Sequence, residues 1–459
     1  MALQFILGPS GAGKSEYIYE DIIRRTMQDE RENVIVLVPE QYSLEIQRKL
    51  VQKHPRGGSF QIDVIGFNRL AYRIFDELHI KPKKVLEDFG KSMLLRKAAQ
   101  EHKEELSLYA GSLDKAGFID EAKSLMSEIY QYDIPRERLR EALQKLDDSE
   151  EARVLARKLQ DMLVIFDAFE EKKGQSFIVA EQMLELLTAA AEQSELIAGS
   201  EIVLDGFTGF TPIQLNLISV LLRRAKKVTI VLTIDAATYE KKHVAEHELF
   251  ALTKQTIEHL LLTAEQAHVV VEPALFLGKD GCKRWSKGHP LAHLEQNLFR
   301  YPYRVGKDEE QAITITAYDT PAQELTGVAE QIRTLVMEQG YRYRDIAIVS
   351  GNLEETAEFA KRILPQYEIP YFIDMTMPVK NHPCVDALTH VLRIVDENFS
   401  YDSVFAFLKS GVVKSLEQSE IEMLENYVLA RGRKGIRSWS QPFLNGEDDT
   451  CLLYTSPSP

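Results

Sequence analysis

The N-terminal part of the chain alternates short apolar runs with helical stripes. In Leu3–Leu7, Val34–Val38 and Ile62–Ile65 apolar side chains dominate, a pattern typical of strands that are buried on both faces of a parallel sheet. The segment after each run carries apolar residues at helical spacing, such as Ile18 and Ile22 after the first run. Repeated strand–helix units predict an α/β domain with a parallel sheet.

The pattern changes between residues 85 and 198. β-branched runs are scarce there, and leucine, alanine, glutamate and lysine recur at helical spacing. Runs typical of a buried sheet resume at Ile202–Asp205 and Val228–Ile234. We therefore expect residues 85–198 to be an all-helical insertion into a domain that consists of residues 1–84 and 199–308.

A second strand–helix pattern follows this domain. Strands are predicted at Ile313–Ala317, Asp345–Val349 and Ile369–Ile373, with a helix after each of the first two. Residues 309–395 are accordingly expected to start a second α/β domain. Residues 396–450 are mostly helical in pattern and are expected to start a further insertion.

The composition is that of an ordinary globular protein and excludes several classes. Of 459 residues, 44% are hydrophobic and 27% are charged, which suffices for several domain cores. No window reaches the roughly 20 apolar residues of a membrane span, and no signal-peptide pattern is present. The three cysteines, Cys282, Cys384 and Cys451, are too widely spaced to indicate a disulfide framework or a metal site. We therefore expect a cytoplasmic protein without membrane contact.

The net charge of −15 argues against a protein that coats nucleic acid through its overall charge. It leaves room for a local groove, since basic residues cluster at Lys81–Lys84, Arg223–Lys227, Lys283–Lys287 and Arg431–Arg437. Such clusters are more often solvated surface than contact surface. The last residues, 451–459, end in Ser-Pro-Ser-Pro and are interpreted as disordered or non-native.

The strongest chemical signal lies directly after the first predicted strand. Residues 8–15 match G-x-x-x-x-G-K-[ST], the phosphate-binding loop of nucleoside triphosphatases. The loop consists of Gly8, Pro9, Ser10, Gly11, Ala12, Gly13, Lys14 and Ser15. Its glycines let backbone N–H groups close around phosphate oxygens, and the following helix adds its positive dipole end. In such a loop Lys14 reaches the β- and γ-phosphates and Ser15 holds Mg²⁺, so MgATP is the predicted ligand.

A carboxylate at the end of a later strand supplies the expected partner of this loop. Asp205 directly follows the apolar run Ile202–Leu204, and ligands gather at the carboxyl ends of parallel strands. We predict that Asp205 completes the Mg²⁺ site with Ser15. An ordinary turn aspartate would occupy the same place in the sequence, and the residues alone leave that alternative open.

Several stretches resemble superfamily 1 helicases in the same order along the chain. Residues 65–73, Ile-Gly-Phe-Asn-Arg-Leu-Ala-Tyr-Arg, are similar to the element of that superfamily that lies against single-stranded DNA. Val36–Gln41 occupies the place of the DNA-contacting element before it. Glu324–Ile373 resembles the entry to the second motor domain.

Three stretches point to a narrower family. Residues 5–8, 37–41 and 205–214 are similar to the B subunit of the bacterial AddAB (RexAB) helicase–nuclease, and the resemblance covers about residues 1–440. In that family an A-type subunit is the motor, and the heterodimer processes double-strand DNA ends for recombinational repair. The B subunit contributes to recognition of a regulatory DNA sequence and carries a C-terminal nuclease domain.

The resemblance implies a fold, partners and candidate contacts for this chain. The implied fold is a P-loop (RecA-like) domain with a helical insertion, followed by a second α/β domain. The implied partners are an A-type helicase/nuclease subunit, single-stranded DNA and duplex DNA ends. An iron–sulfur cluster is expected only in a C-terminal part beyond these residues. The candidate DNA contacts are Pro39, Gln41, Phe67, Asn68 and Arg69, of which Phe67 would stack on a base and Arg69 would meet a phosphate.

Two departures from a working superfamily 1 motor change the functional expectation. Such a motor has Asp-Glu at the strand end, where the glutamate polarises the attacking water, whereas this chain has Asp205-Gly206. General-base catalysis is typically worth about 10²–10⁴-fold, so we expect ATP to be bound but hydrolysed slowly or not at all. The seven residues before Gly8 also leave no room for the glutamine that reads adenine in these motors. The sequence therefore leaves base selectivity open.

Two other functions remain open from the residues. An autonomous superfamily 1 helicase or translocase would need another carboxylate in place of the missing glutamate, together with arginines such as Arg333, Arg342 or Arg344. A nucleotide kinase would also use the loop at Gly8–Ser15. It would need neither the helical insertion nor the second α/β domain.

Overall fold

A computed structural model describes residues 1–443 apart from 30, 82, 114, 147–148, 175, 279–281, 287, 308–310, 376–378 and 380–381. Residues 451–459, interpreted above as a disordered or non-native tail, lie outside the described residues. The chain divides into two compact units, Met1–Thr314 and Ile315–Pro459.

The strands of the first unit lie in the N-terminal and C-terminal parts of its sequence, with one pair of short strands between them. The strands are β1 (Ala2–Gly8), β2 (Asn33–Leu37), β3 (Ile62–Ile65), β4 (Lys84–Leu86), β5 (Phe177–Val179), β6 (Ser200–Leu204), β7 (Lys227–Thr233), β8 (Val270–Val271) and β9 (Leu275–Phe276). Among the described residues, seven strands form one sheet in the order β3-β2-β6-β7-β1-β8, with β9 also paired to β1. Every pairing in this sheet is parallel.

Helices connect these strands, as parallel pairing requires. In the first unit they are α1 (Lys14–Gln28), α2 (Ser43–Lys53), α3 (Phe67–Glu77), α4 (Asp88–Glu101), α5 (Ala116–Gln131), α6 (Arg136–Gln144), α7 (Glu150–Lys173), α8 (Gln182–Ala191), α9 (Glu195–Ala198), α10 (Pro212–Arg224), α11 (Ala236–Glu240), α12 (Ala251–Gln266) and α13 (Pro290–Asn297).

The sheet is buried on both faces because successive side chains of each strand enter different cores. In β1, Leu3, Phe5 and Leu7 join the core formed with α3, α8, α10 and α12. Ile6 points the other way, into the core formed with α1 and α2. The continuous apolar runs predicted this layered α/β arrangement correctly.

The register brings the carboxyl ends of the strands to one edge. Gly8 at the end of β1 is opposite Thr233 of β7, and Leu37 of β2 lies between Ile65 of β3 and Leu204 of β6. The segments that follow β1, β2, β3, β6 and β7 therefore all start at the same edge. This edge positions every candidate residue of the first unit.

The insertion differs from the all-helical prediction. Its helices α4, α5 and α7 share a core of their own. However, β4, which starts at residue 84, pairs in parallel with β5 inside this range. These strands are only three residues long each, too short for an apolar run to reveal them. Helix α8 also lies in this range, yet Met183 and Leu187 pack into the core of the large sheet.

Two features close to the sheet edge go beyond the sequence pattern. Phe67, Asn68 and Arg69 form the first turn of α3. Residues 240–308 show a largely polar and irregular pattern, yet they supply β8, β9 and α13. Strands of two residues carry no period that a sequence pattern could display.

The second unit is helical among its described residues. Its helices are α14 (Pro321–Glu338), α15 (Leu353–Ile363), α16 (Pro383–Asp396), α17 (Tyr401–Leu408), α18 (Gln418–Arg431) and α19 (Ile436–Trp439). Helices α14 and α15 share one core, and α17 and α18 share another.

The strands predicted for the second unit are not formed in its described residues. Ile313–Ala317, Asp345–Val349 and Ile369–Ile373 pair in no ladder there, although α14 and α15 follow as predicted. Apolar side chains on these segments are exposed, for example Ile315 at 93% and Val349 at 94%. An apolar run becomes a strand only where a neighbouring strand takes up its N–H and C=O groups, and the sequence pattern does not show whether one is present.

No helix in the described part of the chain is both long enough and apolar enough to cross a membrane.

Candidate nucleotide site and adjoining edge of the sheet

The predicted phosphate loop joins β1 to α1. Gly11 and Gly13 adopt the left-handed backbone region, with φ of 71° and 84°, which glycine enters without the steric cost of a Cβ. Helix α1 starts at Lys14, directly after the loop. The N–H groups of its first turn lack intrahelical acceptors and therefore suit an anionic ligand.

The side chain of Lys14 folds back across the loop. Its Nζ donates hydrogen bonds to the carbonyl oxygens of Gly8 at 2.9 Å and Pro9 at 2.8 Å. Burial lowers the pKa of the Lys14 ammonium, while the negative charges of Asp205 and Glu295 act in the opposite direction. The ammonium group is thus already held beside the loop and faces two carboxylates.

Asp205 lies at the same edge, directly after β6. It is 5% exposed, and its Oδ2 accepts a hydrogen bond of 2.6 Å from the hydroxyl of Tyr19 on α1. Burial and then the charge of Asp205 raise the pKa of that hydroxyl, so Tyr19 stays a donor. The structure therefore ties Asp205 to the helix that begins in the phosphate loop. Ser15, its predicted partner for Mg²⁺, is exposed at the start of α1.

Gly206 directly follows Asp205, at the position where the resemblance places the glutamate of a motor. Its φ of 83° lies in the left-handed region, and a Cβ built on it would lie 3.4 Å from Cδ of Pro39. The position is therefore shaped for glycine by its backbone conformation, and a larger residue there would be strained.

A segment that the sequence pattern did not identify, the covering segment around Cys282 and Arg284, lies over the outer side of the loop. The thiol of Cys282 donates to the carbonyl oxygen of Ser10 at 3.2 Å, and the backbone N–H of Arg284 donates to that of Gly11 at 3.2 Å. A Cβ on Gly11 would lie 2.5 Å from Sγ of Cys282, so the approach requires glycine. The signal in the sequence is the short apolar run Leu275–Leu277 that ends at Gly278.

Helix α13 adds a second carboxylate beside the loop. The carboxylate of Glu295 accepts a hydrogen bond from the backbone N–H of Ser10. Burial raises the pKa of this carboxyl, and that hydrogen bond partly offsets the effect. Glu295 was not identified from the sequence, because nothing in the pattern of residues 240–308 connects it to the loop.

A cavity of about 780 Å³ opens between the loop and this covering segment. Its walls include Pro9, Phe276 and Trp285, together with Asp235 at the end of β7 and Arg300. Asp235 accepts the backbone N–H of Thr238 at 2.6 Å and pairs with the Arg300 guanidinium at 2.5 Å. That volume lies within the roughly 300–1,000 Å³ range of small-molecule sites.

The predicted DNA contacts lie together at the other half of the same edge. Glu40 joins two of the segments, since its carboxylate accepts the backbone N–H of Asn68 at 3.1 Å and fills the space in front of Gly66. Pro39 lies beside Gly206. The ends of β2, β3 and β6 thus form one continuous surface.

The side chains of this surface differ in how far they are buried and paired. Phe67 is half-buried and stacks obliquely on Phe207, with ring centroids 5.5 Å apart. Gln41, Asn68 and Arg69 are exposed. In the described part of the chain no carboxylate pairs with the Arg69 guanidinium. Core packing thus accounts for part of the Phe67 side chain, whereas a surface ion pair does not account for Arg69.

No group of three or more histidine, cysteine, aspartate and glutamate side chains is arranged to hold a metal among the described residues.

The sequence matches a known family over more than half of its length. The family model described as "ADDB, N-terminal" covers residues 5–295, which include the phosphate loop, the edge surface and the covering segment. The chain belongs to this family. The predicted resemblance to AddAB B subunits is thereby confirmed.

Curated relatives share one name, as the B subunit of an ATP-dependent helicase/deoxyribonuclease. The relative from Lachnoclostridium phytofermentans is 38% identical over 439 residues, which are 95% of this chain and 38% of the relative. Relatives from Alkaliphilus metalliredigens and Clostridium novyi are 34% and 31% identical over 97% and 98% of this chain. The chain spans about two fifths of the length of these relatives, 38% and 39% in the last two.

Proposed function

We propose that this chain forms the nucleotide- and DNA-binding N-terminal part of the B subunit of a helicase/deoxyribonuclease. The observation that carries the proposal is the placement of the phosphate loop and Asp205 at one edge of a parallel sheet, in a chain of this family. Its relatives are named as subunits of an ATP-dependent helicase/deoxyribonuclease. The proposed complex therefore contains an A-type partner subunit and acts on DNA ends.

The strand order supports a P-loop, RecA-like first domain. β7 lies between β1, which leads into the loop, and β6, which leads into Asp205. In this arrangement the loop, including Gly13, binds the phosphates, and Lys14 contacts the β- and γ-phosphates. Ser15 and Asp205 hold Mg²⁺. The metal would supply charge neutralisation between the phosphate oxygens. The domain limits predicted from the sequence remain part of this proposal.

The proposed nucleotide role is binding with slow turnover. Gly206 can neither orient water nor accept its proton, and this contribution is typically worth about 10²–10⁴-fold. Glu295 is the other carboxylate that contacts the loop, but its contact is a hydrogen bond to Ser10. An autonomous helicase or translocase would have to recruit such a group for catalysis.

The proposed DNA role belongs to Pro39, Gln41, Phe67, Asn68 and Arg69. An exposed guanidinium that pairs with no carboxylate among the described residues suits a phosphate, and a half-buried ring at a surface suits base stacking. Alanine substitution of a stacking residue typically costs about 1–3 kcal/mol of single-strand affinity.

Fluorescence anisotropy with a labelled oligonucleotide tests this assignment in the assembled complex. We expect Phe67→Ala combined with Arg69→Ala to weaken single-strand binding by about tenfold or more. Arg69→Ala alone leaves the Phe67–Phe207 packing intact and should reduce the salt dependence. Arg24→Ala, on α1 and paired with Asp21, is the matched control. Unchanged affinity of the double variant across a salt series would contradict the assignment.

A further inference from the structure

We propose that the cavity beside the phosphate loop, lined by Pro9, Phe276 and Trp285, binds the nucleoside part of the nucleotide, with Trp285 as its stacking platform. This inference rests on the proposed nucleotide site. It concerns how the base is held, which the sequence left open.

The position of the cavity follows from contacts on both sides of the loop. Pro9 belongs to the loop and also lines the cavity. On the opposite side, a Cβ on Gly278 would lie 3.3 Å from Cδ of Pro9, and a Cβ on Gly11 would lie 3.5 Å from the Trp285 ring. A ligand whose phosphates occupy the loop would therefore have its remaining part beside Trp285.

The chemistry of the walls fits a flat, largely apolar group with polar edges. Trp285 and Phe276 present aromatic surface, and stacking on aromatic side chains is the usual way that proteins hold bases. Gln296 and His293 add groups that donate or accept hydrogen bonds at the rim. Aromatic surface beside groups that fix the orientation of a ligand through hydrogen bonds is typical of small-molecule sites.

Asp235 is the carboxylate of the cavity wall that has a close cationic partner. Both of its carboxylate oxygens are engaged, one by the N–H of Thr238 and one by Arg300. Asp235 therefore contributes little net charge to the wall when it is paired with Arg300. The site thus consists of an anion-binding loop, held by Lys14, and an adjoining chamber with aromatic walls that also carries Lys283 and Glu295.

Comparing MgATP with magnesium inorganic triphosphate separates the chamber from the loop. We expect calorimetric titration of the full chain to show ATP binding at least about tenfold tighter than triphosphate. Trp285→Ala should weaken ATP by about tenfold and leave triphosphate unchanged, since stacking of a base is the interaction removed. Trp285→Phe keeps an aromatic ring and should retain most of the ATP affinity.

Tryptophan emission gives a second measurement that does not depend on a destabilised variant. In a Trp439→Phe background, Trp285 is the only tryptophan, and we expect ATP but not triphosphate to quench it. Equal affinity of the chain for ATP and triphosphate, or equal weakening of both by Trp285→Ala, would overturn the inference while the phosphate site stands. Failure of both ligands to bind would overturn the inference and the proposed nucleotide function together.

Discussion

At the scale of single residues, the proposed site keeps the groups expected to hold a triphosphate, whereas Gly206 stands in place of the glutamate expected to activate water. Lys14 is fixed across the loop by two carbonyl oxygens, and Asp205 is fixed by Tyr19. Gly206 adopts a backbone conformation that favours glycine. The backbone at this position therefore favours glycine over the glutamate that the resemblance places there.

Restoring the glutamate should not restore a motor. A side chain at residue 206 must adopt the left-handed backbone region, which costs roughly 1–2 kcal/mol, and its Cβ meets Pro39. We expect Gly206→Glu to lower the free energy of unfolding by about this amount and to leave ATP turnover at the wild-type level. Gly206→Ala is the control for backbone strain and should show a similar loss of stability. A large gain in steady-state turnover in Gly206→Glu alone would contradict this interpretation.

Glu295 should oppose nucleotide binding through its charge. Its carboxylate contacts the loop at Ser10, where a bound triphosphate would add negative charge nearby. We expect Glu295→Gln to bind ATP severalfold more tightly at neutral pH.

The pH dependence of the difference in ATP affinity between wild type and Glu295→Gln tests whether the charge of Glu295 causes it. Burial raises the pKa of the Glu295 carboxyl, so its charge is lost as pH falls through that raised value, and the wild-type affinity should approach that of Glu295→Gln. The ratio of the two dissociation constants removes the titration of the phosphates themselves. A ratio that stays constant as the pH is lowered, or that favours the wild type, would show that Glu295 does not act on the ligand.

At the scale of elements, long periodic segments were predictable and short ones were not. The runs that became β1, β2, β3, β6 and β7 identified the parallel sheet, because each is long enough to bury both of its faces. β8 and β9 have two residues each, and the segment Cys282–Trp285 contacts the loop largely through its backbone and a thiol. Contacts of that kind depend on tertiary position and leave no period in the sequence. In the second unit, by contrast, apolar runs of similar length predicted strands, yet they form no strand ladder among the described residues.

A buried carboxylate in the insertion fixes the connection between two of its helices. Asp161 on α7 accepts the backbone N–H groups of Ser107, Leu108 and Tyr109 at 2.8, 2.7 and 2.9 Å. Burial alone would raise the pKa of Asp161, but these hydrogen bonds outweigh it and lower the pKa. The interaction is therefore strongest for the ionised form.

Removing this charge should destabilise the insertion. We expect Asp161→Asn to lower the free energy of unfolding by about 1–3 kcal/mol at neutral pH, because the three N–H groups lose a charged acceptor. A lowered pKa means that the contribution is complete above the ordinary aspartate value and is lost as pH falls through the folded value. The free energies of unfolding from urea titrations should therefore differ between wild type and variant at neutral pH and converge at acidic pH. Asp120→Asn, at an exposed position on α5, should have little effect at either pH.

At the scale of the whole molecule, one sheet edge carries both proposed activities. The nucleotide half lies at the ends of β1, β7 and β9, and the DNA half at the ends of β2 and β3. β6 belongs to both, since Asp205 faces the loop and Phe207 packs on Phe67. A net charge of −15 makes such a local surface necessary for contact with nucleic acid. The sequence pointed to the residues of both proposed halves, and the fold shows that Asp205 and Phe207 follow the same strand, β6.

The nucleotide that remains bound to the chain distinguishes a binding site from a motor. With α-labelled ATP and Mg²⁺, we expect the wild-type chain to retain label that is recovered mainly as ATP after many minutes. Lys14→Ala should retain almost none, because the half-buried ammonium proposed to contact the phosphates is gone. Lys49→Ala, an exposed lysine paired with Glu45 on α2, should behave as wild type. Equal retention by Lys14→Ala, or recovery of the label as ADP with continuing turnover, would contradict the proposed role of the loop.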